Sequence, residues 1–468
     1  MTTRVLDELP SRNATGAFRA AERADPYWDG MFATGISDGW VSASQYRRAT
    51  PEQKRWSGIP DSFVTDPGKA LAQMRTNRHR PSILGALGAV ASWRTVTREQ
   101  LAAITGSAVM ARTYPASLSA PFSAGLLSHG HVSAGMNRLA PARDRMSMWA
   151  AGDQVDAFAR YRTSLTFAEH IAITGGQGWD AEHRFDRHNV LTTELALRVA
   201  EFCDVATVLG EKPMGLPSLL AAAGIEAAQS DLGRKPDAGI IRRDGLVIGI
   251  ETTASVGTGF RAKIAKWAQV LQRYPSYELP LVILVVDAST PSQSTRTASK
   301  NTTATEIQAA IREAVRDYPG TALNRTADRI GMVAWPAWFP AAGRATSDFL
   351  DLTASFLDRS HGHGDGWRDV RLLDEDEMPY REGSPSAGEV IATNSRLLSG
   401  TPHWLRPGIV PRIDQYLLDE LDTTGVETLA DPAVPDRMTG PGFTQSVAGR
   451  KWRHLVSLDD ASAARVPA

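Results

Sequence analysis

One segment of the chain, residues 279–289 with the sequence LPLVILVVDAS, is a continuous apolar run with the length of a single β-strand. A run without polar alternation is typical of a strand that is covered on both faces of its sheet. The segments before and after it alternate between helical and strand patterns. We therefore predict an α/β unit in which helices cover a central sheet.

The surrounding segments predict the element order α-β-β-α-β-α-β, with a mixed central sheet, over residues 160–345. HNVLTTELALRVAEFC starts at His188 and places its large apolar residues on one face of a helix. KPDAGIIRRDGLVIGIETTAS predicts two strands joined by a tight turn at Asp244 and Gly245. FRAKIAKWAQVL and TATEIQAAIREAVRDY predict helices, and RIGMVAWPAWF predicts the last strand.

Residues 81–155 predict three short helices followed by a hairpin. The second helix, in TVTREQLAAITG, has Thr97 as its N-cap and ends at Gly106. The third lies in SAVMARTYPASLSAPFSAGLLSHG, where Pro115 and Pro121 bend or delay it. This is the order of a winged helix-turn-helix, whose third helix enters the major groove of DNA. The same order also builds protein-binding modules, so both uses stay open.

Basic residues concentrate in this part of the chain. The whole chain has a formal net charge of -1, whereas residues 82–150 hold six arginines against Glu99 and Asp144. The preceding stretch KALAQMRTNRHR is also basic and fits either a DNA-contacting arm or a solvated helix face. A local basic patch attracts the DNA backbone. We predict DNA contacts for Arg94, Arg98, Arg112, Arg138, Arg143 and Arg145.

The two ends of the chain show weaker patterns. Residues 1–80 predict an irregular arm, and residues 346–468 predict an acidic, irregular C-terminal extension. Cys203 is the single cysteine, which excludes an internal disulfide framework and fits a reducing compartment. No apolar run is long enough to span a bilayer. We therefore expect a soluble, cytoplasmic protein without a membrane partner.

Two carboxylates in the predicted hairpin are candidates for chemistry. Asp237 lies on the first strand and Glu251 on the second, so both can reach one edge of the sheet. Such a pair supplies oxygen ligands for Mg²⁺ or Mn²⁺, which would support hydrolysis of a phosphodiester. The lysine expected two residues after Glu251 is absent, since Thr253 stands there. Lys263 and Lys266 on the next helix are the nearby substitutes.

Histidines form weaker candidates. His183, Asp186 and His188 lie within six residues, but they precede a helix, and surface histidines are the favoured interpretation. His361 and His363 alternate with glycines in HGHGD, which is typical of a loop. The second group would suit a metal ion only if the segment were extended and a further ligand came from elsewhere in the chain.

The carboxylate pair resembles the PD-(D/E)XK nuclease-like superfamily, in which an Asp, a Glu and a Lys surround a metal ion. More narrowly, the basic winged helix, the His188 helix, PDAGII, IGIETTAS and KIAKWAQVLQRY are similar to the replication-relaxation family of actinobacterial plasmids and phages. This similarity covers about residues 80–340. It implies that Asp237 and Glu251 are the acidic, metal-binding pair and that Lys263 is the catalytic lysine. It also implies double-stranded DNA and other replication or phage proteins as partners.

Three functions stay open on the sequence. The first is a DNA-binding protein for replication, maintenance or transfer of a plasmid or phage, with a degenerate or weakly active nuclease-like domain. The second is an active Mg²⁺-dependent DNA endonuclease, and the third is a protein-binding scaffold that uses the winged helix. An interpretation without chemistry is also open, in which Asp237 is a strand-end carboxylate and Glu251 pairs with Lys263 or Arg261.

Overall fold

Two larger β-sheets with helices around them organise the chain. The computed structural model describes residues 5–6, 18–29, 31, 37–76, 79–133, 145–152, 154–179, 186–289, 302–358, 366–380 and 387–406. Within these ranges no helix is both long enough and apolar enough to cross a bilayer.

Strands are numbered in chain order: β1 Val5–Leu6, β2 Ser37–Val41, β3 Thr95–Thr97, β4 Leu127–Ser133, β5 Arg145–Ala151, β6 Thr207–Gly210, β7 Ala238–Ile241, β8 Val247–Thr253, β9 Leu281–Asp287, β10 Gly320–Thr321, β11 Asn324–Arg325, β12 Ile330–Ala334, β13 Ala345–Thr346, β14 Thr353–Asp358 and β15 Gly366–Arg371. Helices are numbered in the same way: α1 Ala43–Arg48, α2 Pro51–Ser57, α3 Pro67–Thr76, α4 Arg80–Trp93, α5 Arg98–Thr105, α6 Ala116–Ser123, α7 Val155–Arg162, α8 Phe167–Thr174, α9 Asp186–Phe202, α10 Leu216–Ala222, α11 Thr258–Arg273, α12 Thr303–Asp317, α13 Trp335–Trp338, α14 Ser347–Leu350 and α15 Ala387–Ser395.

The larger sheet has seven strands in the order β15-β14-β12-β9-β8-β7-β6. β9 pairs in parallel with β8 and β12, and the other neighbours are antiparallel, which confirms the mixed α/β sheet. Every residue of β9 is buried. Val282, Leu284 and Val286 enter one hydrophobic core, and the alternate residues enter a second core on the other face. The prediction of a strand covered on both faces is therefore confirmed.

The smaller sheet is antiparallel, with the strand order β2-β4-β5-β3. Helices α4, α5 and α6 precede its β4 and β5 strands in the chain, as the sequence predicts. Thr97 caps α5 by accepting a hydrogen bond from the Gln100 amide, 3.1 Å away. Gly106 ends that helix with φ +71°, a left-handed conformation that favours glycine.

The third helix of this unit, α6, is covered by other parts of the chain. It packs against α1 and α3. Ser119 Oγ donates to the Phe63 carbonyl at 2.6 Å, and Arg47 Nη2 donates to the Ser123 carbonyl at 2.5 Å. Most of its side chains are buried. The expectation that this helix enters a DNA groove does not fit the structure, because α1, α3 and residues 61–63 pack against it and leave few of its side chains exposed.

Both ends of the described chain are more ordered than the sequence patterns indicate. Before residue 80, β2 forms one edge of the smaller sheet, and α1 and α3 pack against α6. After residue 345, β14 and β15 complete the larger sheet. Trp93 Nε1 donates to the Gly400 carbonyl at 2.7 Å, which fastens the C-terminal part to α4. Folded structure therefore continues across the boundaries predicted near residues 80 and 345, while residues 407–468 of the predicted extension lie outside the described residues.

Helix α9 lies between the two sheets, against β3 on one side and β6, β7 and β8 on the other. Most of its residues are buried, including Glu194 in its centre. Glu194 accepts hydrogen bonds from Arg23 Nε at 3.1 Å and from Arg198 Nε at 3.0 Å. Asp25 in turn accepts from Arg198 Nη2 at 2.9 Å. These ion pairs fasten residues 18–29 to α9.

His129 on β4 is a buried histidine that lies against aromatic rings. It is 2% exposed, and neither ring nitrogen meets a hydrogen-bond partner among the described residues. The rings of Tyr114 and Trp149 lie 5.1 and 4.9 Å from it, measured between centroids. Burial lowers its pKa to about 3, with a smaller contribution from His131. The imidazole is therefore neutral in the folded chain at neutral pH.

We expect acid to destabilise the chain through His129. Because its pKa is lower in the folded state, the unfolded state takes up a proton first as the pH falls below 6.5. The contribution of His129 to the free energy of unfolding should therefore decrease from pH 7 to pH 5, and His129→Leu should lose this decrease. Urea unfolding at both pH values measures this difference. An identical decrease in both proteins would contradict the assignment.

Candidate functional site

The hairpin of β7 and β8 brings Asp237 and Glu251 to neighbouring strands. Asp237 directly precedes β7, and its amide donates to the Ile250 carbonyl on β8 at 2.8 Å. The turn between the strands has Gly245 with φ +96°, as the predicted tight turn requires. The Thr252 amide donates to Asp237 Oδ2 at 2.8 Å, which fixes that carboxylate beside β8.

Lys263 on α11 lies between the two carboxylates. Its Nζ is 3.0 Å from Asp237 Oδ1 and also forms an ion pair with Glu251 Oε2. The side chains of Lys263, Asp237 and Glu251 are 40%, 13% and 2% exposed. The structure therefore brings together the three residues that the sequence predicts, and the pairing of Glu251 with Lys263 is confirmed.

Two further side chains complete the set of donors. Trp267 Nε1 donates to Glu251 Oε1 at 2.5 Å. His188 Nε2 lies 2.7 Å from Asp237 Oδ2 and donates to it when that nitrogen carries the proton. Each of the four carboxylate oxygens thus accepts from at least one donor in the chain. We call Asp237, Glu251, Lys263, His188 and Trp267 the ionic cluster.

The two carboxyl groups of the ionic cluster have opposite pKa shifts. Burial disfavours the charge on Asp237, but His188 and Lys263 outweigh burial and hold its pKa below the usual range. For Glu251, burial and the charge of Asp237 raise the pKa to about 8, against the opposing effect of Lys263. Burial also opposes the charge of Lys263, but both carboxylates outweigh it and raise its pKa. Lys263 therefore lies beside one carboxyl group whose charge its surroundings favour and one whose charge burial disfavours.

A divalent cation does not fit this arrangement. In the described part of the chain no three His, Cys, Asp or Glu side chains are grouped as a metal site. The oxygens that would bind Mg²⁺ or Mn²⁺ at Asp237 and Glu251 already accept from Lys263, His188, Trp267 and the Thr252 amide. A metal ion would have to displace the ammonium group, so we derive no chemistry through it.

The histidine group that includes His188 is divided in the structure. Asp186 accepts from Trp40 Nε1 at 2.8 Å and from Thr95 Oγ1 at 2.5 Å, while His188 contacts Asp237. His183 lies outside the described residues, as do His361 and His363. The favoured interpretation of His188 as a surface histidine is wrong, since it is a member of the ionic cluster.

His188 and Trp267 were not predicted as site residues. His188 lies in the first turn of α9, whose contact with β8 is not visible in the sequence. Trp267 follows Lys263 by four residues, and this spacing places both on one face of α11. That spacing is the signal that would have identified Trp267.

The six arginines predicted to bind DNA differ from one another in their exposure and contacts. Arg94 forms an ion pair with Glu211 and is 14% exposed, so little of its guanidinium is available to a phosphate. Arg98 Nη1 donates to Thr113 Oγ1 at 2.8 Å and is partly exposed. Arg112 is exposed. Arg138 and Arg143 lie outside the described residues, and so does the side chain of Arg145.

Comparison of the chain with protein family models, with curated proteins and with solved structures finds no match. The similarity to the replication-relaxation family and to PD-(D/E)XK nucleases thus depends on the residues of this chain alone. It stays a prediction.

We expect Glu251→Gln to make the slope of the unfolding free energy against pH more positive between pH 4.5 and 8. The raised pKa means that the folded chain holds a proton which the unfolded chain has released in that range. The contribution of Glu251 to the unfolding free energy therefore falls as the pH rises, by at most about 1.4 kcal/mol per pH unit.

Urea unfolding at intervals from pH 4.5 to 8 measures the slope in both proteins. The matched control is Glu278→Gln, which removes an exposed carboxylate and should leave the slope unchanged. Equal slopes in the Glu251 variant and the unaltered chain would show that Glu251 is ionised throughout and that the proton assignment is wrong.

Proposed function

We propose that this chain binds double-stranded DNA through a basic surface formed by residues 43–133, and that its nuclease-like α/β unit has a degenerate acidic site. One observation carries the proposal. These residues contain eleven Lys and Arg against four Asp and Glu, in a chain whose net charge is -1. Such segregation of charge supports binding to a polyanion.

The exposed basic side chains lie on the layer that covers α6. They belong to α1, α2, α3 and the turn after α5: Arg47, Arg48, Arg55, Lys69, Arg75 and Arg112. Tyr114 Oη lies 3.5 Å from the Ser57 carbonyl, which brings the Arg112 turn next to the end of α2. We infer that DNA meets this outer layer, through phosphate contacts that need no access to α6.

The order of elements supports the same proposal. Helix α4, strand β3, helices α5 and α6 and strands β4 and β5 follow one another as in a winged helix, with β3 beside β5. Antiparallel β6, β7 and β8 are followed by α11 and by β9, which is parallel to β8. Apart from β6 and α10, this is the element order that the sequence patterns predict for residues 160–345. A role in replication, maintenance or transfer of a plasmid or phage is the context that the resemblance to the replication-relaxation family suggests.

An active Mg²⁺-dependent endonuclease is the second candidate, and the ionic cluster argues against it. Lys263 would have to leave both Asp237 and Glu251 before a cation could bind. A lysine that pairs with two carboxylates can have a structural role without taking part in catalysis. DNA binding without cleavage is therefore the favoured function.

We expect Arg55→Ala with Arg112→Ala to weaken binding to a duplex of random sequence. Each lost phosphate contact should reduce the slope of log K against log salt by about 0.9, or about 1.8 for two contacts. Fluorescence anisotropy over a series of KCl concentrations measures both the affinity and the slope.

The matched control is Arg316→Ala, because Arg316 is also an exposed arginine and lies on α12 of the α/β unit. It should leave the affinity and the slope unchanged. If the double variant keeps the slope of the unaltered chain, the basic surface does not contact DNA, and the protein-binding interpretation gains support.

A further inference from the structure

The Lys263 ammonium group has the surroundings that a metal ion would have at an acidic pair. It contacts one oxygen of Asp237 and one of Glu251, so it bridges carboxylates from two neighbouring strands. It reaches them from α11, on a different element from either acid. A divalent cation bound by two carboxylates would take this bridging position.

The remaining oxygens are also held in place. Asp237 Oδ2 accepts from the Thr252 amide and contacts His188, and Glu251 Oε1 accepts from Trp267. None of these contacts involves Lys263, so they keep the two carboxylates oriented when the ammonium group is removed. The acid pair is therefore organised independently of the cation that it holds.

We propose that Lys263 is the resident cation of this site: its ammonium group excludes divalent cations from Asp237 and Glu251, and its removal creates a binding site for Mn²⁺ or Mg²⁺. This inference concerns the α/β unit and does not depend on DNA binding. It predicts that the unaltered chain needs no divalent cation for its stability.

The charges of the ionic cluster favour replacement of the Lys263 ammonium group by a metal ion once that group is removed. Two carboxylates that share one ammonium group repel each other when that group is removed. A buried carboxylate without a partner is unfavourable. Glu251 is 2% exposed, so solvent cannot replace the lost ammonium. A divalent cation that prefers oxygen ligands can replace the lost ammonium group. Removing Lys263 should therefore destabilise the chain without metal and give it an affinity for metal.

The experiment compares Lys263→Met with the unaltered chain. Methionine keeps an unbranched side chain and removes the charge. We expect Mn²⁺ titration, followed by the electron paramagnetic resonance signal of the free ion, to show one bound ion per chain in the variant and none at this site in the unaltered chain. The melting temperature of the variant should be low without Mn²⁺ and rise on its addition, since a ligand of the native state stabilises it.

Two controls isolate the site. Lys266→Met removes an exposed lysine from the same helix and should bind no Mn²⁺. Lys263→Met combined with Asp237→Asn and Glu251→Gln should lose the bound ion. If Lys263→Met is unfolded without metal, refolding on addition of Mn²⁺ supports the proposal.

Three results would overturn it. The first is Mn²⁺ binding by the unaltered chain that Asp237→Asn with Glu251→Gln abolishes. The second is a folded Lys263→Met variant that binds no Mn²⁺. The third is an unfolded variant that Mn²⁺ does not refold.

Discussion

The carboxylate of Glu194 is fully buried in the centre of α9, and the chain has to neutralise it from within. Arg23 and Arg198 do so, and together they hold the pKa of Glu194 below its usual value against the effect of burial. Breaking such a pair typically costs about 3 to 5 kcal/mol. Because α9 contacts both sheets, this interaction fixes the helix that carries His188 to Asp237.

The ionic cluster follows the same physical rule. Asp237 and Glu251 lie on neighbouring strands, away from bulk water, and a helix lysine supplies the balancing charge. A site with this charge balance is complete without a metal ion. Each carboxylate oxygen of the cluster already accepts from a donor in the chain, so the proposed role in DNA binding depends on the basic surface instead.

Local patterns predicted several elements of the α/β unit, while contacts between segments distant in the chain were not predictable. The apolar run of β9, the Asp244 and Gly245 turn and the helix of Lys263 follow from short-range periodicity and turn chemistry. Glu194 and Arg198 lie on the charged side of α9, which normally faces water, yet Arg23 covers them from more than 170 residues away. The cover over α6 and the contact of His188 with Asp237 arise in the same way, from segments distant in the sequence.

Diffraction from crystals of the unaltered chain soaked in MnCl₂ tests the central claim most directly. Data collected near the manganese absorption edge locate bound ions by their anomalous signal. We expect no anomalous peak between Asp237 and Glu251, because the Lys263 ammonium group contacts both carboxylates there. A peak within bonding distance of both carboxylates, with Lys263 displaced, would contradict it.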